Sequence, residues 1–238
     1  MAFGCNASSS GDRVESGTDV FATSSGKAVS FTFIKHASVM IQYDTLTIYV
    51  DPVEALPPET DFGTYPKADI ILVTHEHFDH FDSIAIGTLS DSNTVIISNA
   101  AVRAMLKQGT ALANGGSVRL RSDILVEAVP AYNTTPANSR FHPKGRDNGY
   151  VITLDDLRIY LAGDTEDIPE MNDLQNIDVA FLPCNQPYTM TLDQLAAAAR
   201  MVRPKVFYPY HYNDTPVERV VNMLSEEHDI DVRIRPMK

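Results

Sequence analysis

The chain has 238 residues, 44% of them hydrophobic and 21% charged, and a formal charge of −12. That balance is globular, and no apolar run approaches the roughly 20 residues that span a bilayer. The acidity disfavours a nucleic-acid backbone as main partner, because such binding needs Lys and Arg to neutralise phosphates. Length alone fits one large domain or two small ones.

Residues 1 to 27 are rich in Ser, Gly and Thr without apolar periodicity, so a flexible N-terminal tail that adds nothing to the core is expected. Within it Ala2-Phe3-Gly4-Cys5 resembles the end of a bacterial lipoprotein signal, although the charged and apolar regions of a signal are missing. A cytoplasmic location and a lipid anchor on Cys5 both stay open. Cys5 lies in the tail and Cys184 at a strand end, which does not argue for a disulfide; Cys184 reads as a buried thiol.

From Val29 to Val50 three strand-like runs, Val29 to Ile34, Ser38 to Tyr43 and Leu46 to Val50, read as an antiparallel meander that ends at Asp51. The apolar run from Ala68 to Val73 suits a strand buried on both faces. Thr74-His75-Glu76-His77-Phe78-Asp79-His80 follows it directly. In extended backbone, residues two apart project to one side, so His75 and His77 converge on one ion while Glu76 points away. Asp79 and His80, past the bend, can face a second ion. Imidazole and carboxylate donors suit zinc, with manganese and iron as alternatives.

Further on, Ser83 to Leu89 and Ala100 to Lys107 read as helices around a strand at Thr94 to Ser98. Strands return at Val118 to Leu120, Ile124 to Val129, Tyr150 to Leu154 and Leu157 to Leu161. The long connection from Pro130 to Asn148 has the length of a functional loop. Leu46 to Val50 and Leu157 to Leu161 share a pattern, and each precedes an apolar strand opening with an aspartate, Asp69 and Asp178; this hints at two similar halves. Thr191-Leu192-Asp193-Gln194 is a capping box for a helix running to about Val202. Thr215-Pro216-Val217-Glu218 reads as a second box, with Val217, Val220, Val221 and Leu224 as its buried stripe. Between the helices Val206-Phe207-Tyr208 is a strand leading to His211.

The His-x-His-x-Asp-His run, with Tyr49-Val50-Asp51-Pro52, Gly163-Asp164-Thr165 and Pro209-Tyr210-His211 in order around it, resembles the metallo-β-lactamase superfamily over about residues 28 to 238. Lys35-His36-Ala37-Ser38, Ala131-Tyr132-Asn133, Phe141-His142-Pro143-Lys144-Gly145, Gly149-Tyr150 and Pro187-Tyr188-Thr189-Met190 resemble its small metal-dependent hydrolases related to ascorbate-6-phosphate lactonase. N-acyl phosphatidylethanolamine phospholipase D is similar in the same elements, more distantly. The resemblance implies an α/β fold, a four-layer αββα sandwich, with residues 28 to 238 as one hydrolase domain. It implies two divalent metal ions: His75 and His77 on one, Asp79, His80 and His211 on the other, and Asp164 bridging them. Asp51 is expected to hold a turn or neighbouring backbone by hydrogen bonds rather than to ligate.

The reaction expected of such a site is hydrolysis by a metal-bound hydroxide, since coordination lowers the pKa of water from about 15.7 to about 7. Asp79 is expected to orient the water or carry a proton to the leaving group, and His36, His142 and Tyr188 to contact substrate. Lactones and phosphodiesters are the favoured small-molecule substrates. The alternatives are a non-catalytic metal-binding or ligand-binding module, which would bind without turnover, and an iron-dependent oxidoreductase on the same fold, whose di-iron members resemble His-x-Glu-x-Asp-His where this chain has His77. One departure stands out: where many members of the superfamily carry a third histidine for the first metal, this chain has Asn133. Asparagine offers only a neutral oxygen. Asn133, His142 or water is left as the third ligand, with His142 expected in the pocket. Oligomeric state is not legible.

Overall fold

The computed structural model describes residues 18 to 238; Cys5 and the lipoprotein-like tetrapeptide lie outside them. Among the described residues, fourteen strands form two seven-stranded sheets of identical topology. The first contains β1 (Asp19–Ala22), β2 (Ala28–Lys35), β3 (Ser38–Tyr43), β4 (Leu46–Val50), β5 (Ile70–Val73), β6 (Val95–Ser98) and β7 (Thr110–Ala111), adjacent in chain order. The second contains β8 (Ser117–Arg121), β9 (Ile124–Ala131), β10 (Asp147–Leu154), β11 (Leu157–Leu161), β12 (Val179–Pro183), β13 (Val206–Tyr210) and β14 (Asp231–Val232), likewise in order. In each sheet the first four strands pair antiparallel and the last three join parallel.

The two aspartates marked in the sequence do the same work in each half. Asp69 Oδ2 accepts from the Thr47 amide at 2.8 Å, and Asp178 Oδ2 accepts from the Arg158 amide at 2.8 Å. Their own amides donate back to the Thr47 and Arg158 carbonyls at 2.8 and 2.9 Å. Each aspartate thus locks the register of the first parallel pair at the start of its strand, where the ladder would otherwise leave a donor open.

Strand periodicity builds the layers. In β3 to β6, Val39, Ile41, Ile48, Val50, Ile70, Leu72 and Ile97 face the second sheet, while Met40, Tyr49, Ile71, Val73 and Ile96 face outward. The outward set is covered by α1 (Ser83–Leu89) and α2 (Ala100–Leu106), which bury Ala85, Ile86, Leu89 and Val102 on it. On the opposite side α3 (Leu192–Val202) packs on β12 and on α4 (Arg219–Met223). The result is the expected αββα sandwich.

Three expectations are corrected. The tail does not extend to residue 27: β1 pairs with β2, and Asp19 reaches across to the second sheet. Its carboxylate accepts from Arg235 Nη2 at 2.8 Å, from Arg233 Nη1 at 3.1 Å and from the Tyr208 hydroxyl. Asp19, one of two aspartates in this polar stretch, gives no apolar signal, because β1 is fixed by charge pairing and edge ladder bonds. The Thr191–Gln194 capping box forms as read, but the second box does not. The Val217 amide donates to the Thr215 carbonyl at 2.8 Å, a bond too tight for an α-turn, so α4 starts only at Arg219 with no side-chain cap. As a result Val221 is exposed, whereas Val217, Val220 and Leu224 are buried.

Burial alone would raise the Asp19 carboxyl, but hydrogen bonds from Arg235, Tyr208 and Arg233 hold it below its ordinary value. A depressed carboxyl contributes stability that is present above its unfolded pKa, about 3.9, and lost as pH falls through the folded value. Asp19→Ala is therefore expected to cost about 2 kcal/mol in urea unfolding at pH 7. The difference from the parent should shrink when the measurement is repeated below about pH 4.

Candidate metal centre

The parallel strands all run their C-terminal ends to one edge of the sandwich, and the marked residues lie just beyond those ends. His36 follows β2, Asp51 follows β4, His75 and His77 follow β5, Asp164 follows β11 and His211 follows β13. His36, Asp51 and His211 take left-handed backbone, at φ 49, 45 and 48. Strain of this kind costs on the order of 1 kcal/mol per residue and persists where surrounding contacts over-determine it. At each strand end it turns the next side chain toward the shared edge. Gly163, at φ 64, precedes Asp164, and a Cβ there would stand 2.8 Å from the Asn148 carbonyl oxygen. Only glycine brings Asp164 this close to β10.

Among the described residues three groups of ligand-capable atoms result, each with its atoms within 4.8 Å of one another: His75, His77 and His142; His36, Asp79, His80 and His211; and His75, His80 and Asp164. Asp164 divides its two oxygens between the first two groups. Oδ1 lies 3.1 Å from His80 Nε2 and 3.4 Å from His211 Nε2, while Oδ2 lies 3.3 Å from His142 Nε2 and 4.0 Å from His75 Nε2.

The imidazoles are oriented through their other nitrogens. Asp51, wholly buried, accepts from the Thr74 amide at 2.8 Å, the Thr74 hydroxyl at 2.7 Å and His80 Nδ1 at 2.8 Å. With its proton on Asp51, the Thr74 hydroxyl is free to accept from His75 Nδ1 at 3.0 Å. His142 Nδ1 donates to the Tyr188 carbonyl at 3.1 Å. Each of these bonds leaves the Nε2 lone pair facing the centre, the arrangement that metal-binding histidines need. His77 presents Nδ1 instead, 3.2 Å from His142 Nε2, with Arg146 Nη2 3.4 Å from its Nε2.

Donors are poor in this cluster and acceptors abundant. His75 Nε2, His80 Nε2, His211 Nε2 and Asp164 Oδ1 are buried without a hydrogen-bond partner among the described residues. Buried polar atoms are seldom left so, and four of them distributed over these neighbouring groups fit divalent cations. Burial, with His80 beside it, pushes His75 well below the usual imidazole range. Burial opposes charge on His80 as well, but Asp164 and Asp51 lift it well above that range. Burial takes His142 and His36 down to about 4. For Asp79 burial works upward and is outweighed by His211 and His36; for Asp164 it is outweighed by His211 and His80, so both carboxyls sit well below the ordinary range.

A pocket of about 850 Å³ opens onto this centre, lined among others by His36, His77, Asp79, His142, Asp164 and Tyr188. That size holds a small molecule. His36 Nε2 lies 3.2 Å from Asp79 Oδ2, and its ring packs on His211 with centroids 3.7 Å apart. Tyr188 is 45% exposed at the mouth, against Phe141, and Phe78, 78% exposed, lines the same pocket. The connection expected from Pro130 to Asn148 is shorter, because β9 and β10 pair out to Ala131 and Asp147; residues 132 to 146 form it and wall the pocket with Phe141 and His142. Asn133 spends its amide nitrogen on the Asn138 and Tyr188 carbonyls, at 3.2 and 2.8 Å. Its own amide donates to the His142 carbonyl at 2.9 Å, so the residue in histidine's expected place props the histidine that reaches in. Cys184 is buried and stays outside the three groups; burial pushes its thiol up to about 12. The sequence did not mark Thr74, Arg146 or Glu166, whose roles depend on partners far along the chain.

Comparison with known proteins agrees with this geometry. The beta-lactamase superfamily domain profile matches residues 30 to 211. A UPF0173 metal-dependent hydrolase of Nanoarchaeum equitans is 32% identical over 193 residues, 78% of this chain and 84% of that protein. A crystal structure from Parabacteroides distasonis, described as a metal-dependent hydrolase, is 53% identical with a TM-score of 0.90, covering 94% of this chain and 100% of that one. The metallo hydrolase Igni18 of Ignicoccus hospitalis is 26% identical with a TM-score of 0.74, covering 88% of this chain and 96% of the other. The chain therefore belongs to the beta-lactamase superfamily, as one of its UPF0173-type metal-dependent hydrolases.

Proposed function

We propose that the centre holds two divalent ions, zinc in preference to manganese or iron, and hydrolyses an ester-like bond, a lactone or phosphodiester, in a small molecule. The observation that carries the reading is Asp164, with one oxygen toward His80 and His211 and the other toward His142 and His75. A carboxylate so placed can span ions roughly 3.5 to 4 Å apart, the spacing of two-metal hydrolytic sites. His75, His77 and His142 would hold the first ion and Asp79, His80 and His211 the second, with His36 beside the latter group. Bound there, such ions acidify water and polarise a carbonyl or phosphoryl oxygen.

The chain's own residues supply the rest. Asp79, held ionised between His36 and His211, faces the pocket and can orient the attacking water or pass a proton to the departing oxygen. The ring of Tyr188 and the exposed Phe78 shield the entrance. Asp51 and Thr74 keep His80 and His75 turned with their lone pairs inward throughout.

His77→Ala and His142→Ala should each lose about one equivalent of metal by elemental analysis and lower hydrolysis at least about a hundredfold. Asp51→Ala should weaken metal binding by about 10- to 100-fold while leaving every proposed ligand in place. A chelator should abolish turnover of a lactone and phosphodiester panel, and Zn²⁺ or Mn²⁺ should restore it. Failure to turn over any of these, while a ligand still raises the melting temperature of metal-loaded protein, would favour a binding module instead.

A further inference from the structure

Glu166 lies two residues beyond Asp164 and is wholly buried. Its Oε2 accepts from the Thr134 amide at 2.9 Å, the Thr134 hydroxyl at 2.8 Å and the Thr135 amide at 2.6 Å, and its Oε1 accepts from Asn138 Nδ2 at 3.3 Å. The Glu166 amide adds a bond to the Tyr132 carbonyl at 3.0 Å. One carboxylate therefore fastens the strand end that presents Asp164 to the turn that leads to His142.

From that turn the path to His142 is short and carries several bonds. The Phe141 amide donates to the Asn138 carbonyl at 2.9 Å, and the Asn133 amide to the His142 carbonyl at 2.9 Å. The Tyr188 carbonyl accepts from both Asn133 Nδ2, at 2.8 Å, and His142 Nδ1, at 3.1 Å. His142 comes from a loop rather than a strand end, so its aim depends on this bracing more than that of His75 or His77. Charge-assisted bonds are about twice as strong as neutral ones, and a buried carboxylate left with fewer donors is costly, so the turn has little freedom while Glu166 is present.

We propose that Glu166 is a positioning residue for the first ion: its carboxylate fixes the turn at 134 to 138 so that His142 Nε2 stands with His75 and His77, opposite Asp164 Oδ2. The inference rests on the two-ion reading of the site. It concerns metal affinity and needs no substrate.

The test is a Co²⁺ titration, followed by visible absorption and elemental analysis, of wild type, Glu166→Ala, Glu166→Gln, His142→Ala and the double variant Glu166→Ala/His142→Ala. Glu166→Ala should keep one tight equivalent and bind the second at least about tenfold more weakly. Glu166→Gln should recover most of that loss, since one amide oxygen can still receive the Thr134 and Thr135 amides. The double variant should bind no more weakly than His142→Ala alone, because both changes remove the same interaction. Additive losses, or a second equivalent in Glu166→Ala as tight as in wild type, overturn the proposal. Should Glu166→Ala not fold, Thr134→Val/Asn138→Ala removes the two side-chain donors and keeps the carboxylate; a weakened second equivalent supports the proposal and an unchanged one overturns it. Wild type that takes up a single equivalent overturns the two-ion reading and this inference together, whereas the other contrary results overturn the inference alone.

Discussion

The buried Asp51 carboxylate is the contact on which the centre depends. It sits at the end of one strand and binds the amide and hydroxyl of Thr74 at the end of the next, so it joins β4 to β5 beyond the last ladder bond. Its third bond, to His80 Nδ1, settles that ring's tautomer, and the Thr74 hydroxyl passes the same effect to His75. Two imidazoles are thus aimed by a residue that need not touch an ion. A backbone at φ 45 is the cost of placing that carboxylate, and its three accepted bonds, with the Ser38 hydroxyl donating to the Asp51 carbonyl at 2.6 Å, hold it there.

The matching halves explain how such a site arises at an edge. Both sheets change from antiparallel to parallel at the same point, after β4 and after β11, and the aspartates that lock this point occupy equivalent positions. Parallel strands collect their C-terminal ends on one side. Packed face to face, the two sheets bring two such edges together: the first supplies His75, His77, Asp79 and His80, and the second supplies Asp164 and His211. The symmetry covers the backbone and these two aspartates, and stops short of the site. The ligand-capable residues differ between the halves, which is why the chemistry sits on the seam between them.

Much of this was legible because it is local. The strand pattern from Val29 to Val73, the helix at Ser83 to Leu89 and the Thr191 capping box depend on periodicity and on near neighbours, and each forms as read. The His-x-His-x-Asp-His run has its own spacing to identify it. What escaped reading depends on distant partners. β1 is set by Asp19 meeting two arginines more than two hundred residues away, and no property of the tail announces them. The second capping box had the right letters, but the tight Thr215–Val217 turn claimed the backbone first. Arg146 and Glu166 act on His77 and on the His142 loop through contacts that only the folded chain creates. His142 was foreseeable from the missing histidine at 133; the bracing that aims it was not.

The electrostatics of the cluster tie its stability to its ligands. Two carboxylates, the buried Asp164 and the partly exposed Asp79, are held ionised by surrounding imidazoles, and the neighbouring rings are driven in opposite directions, His75 downward and His80 upward. Burial suppresses positive charge on His36, His75 and His142, so protons are an inefficient counter-charge here: each one placed on a ring must overcome the desolvation of that ring and the repulsion of its neighbours. A divalent cation brings two charges to the point where the Nε2 lone pairs already converge, and leaves the rings neutral. Of the orphaned atoms, His80 and His211 Nε2 lie beside Asp164 Oδ1, whereas His75 Nε2 lies with the His77 and His142 group on the Oδ2 side. Folding and metal binding are then coupled, because ions that bind the folded cluster stabilise it by mass action. The net negative charge of the chain, which weighs against phosphate polymers, becomes at this edge the attraction that gathers cations.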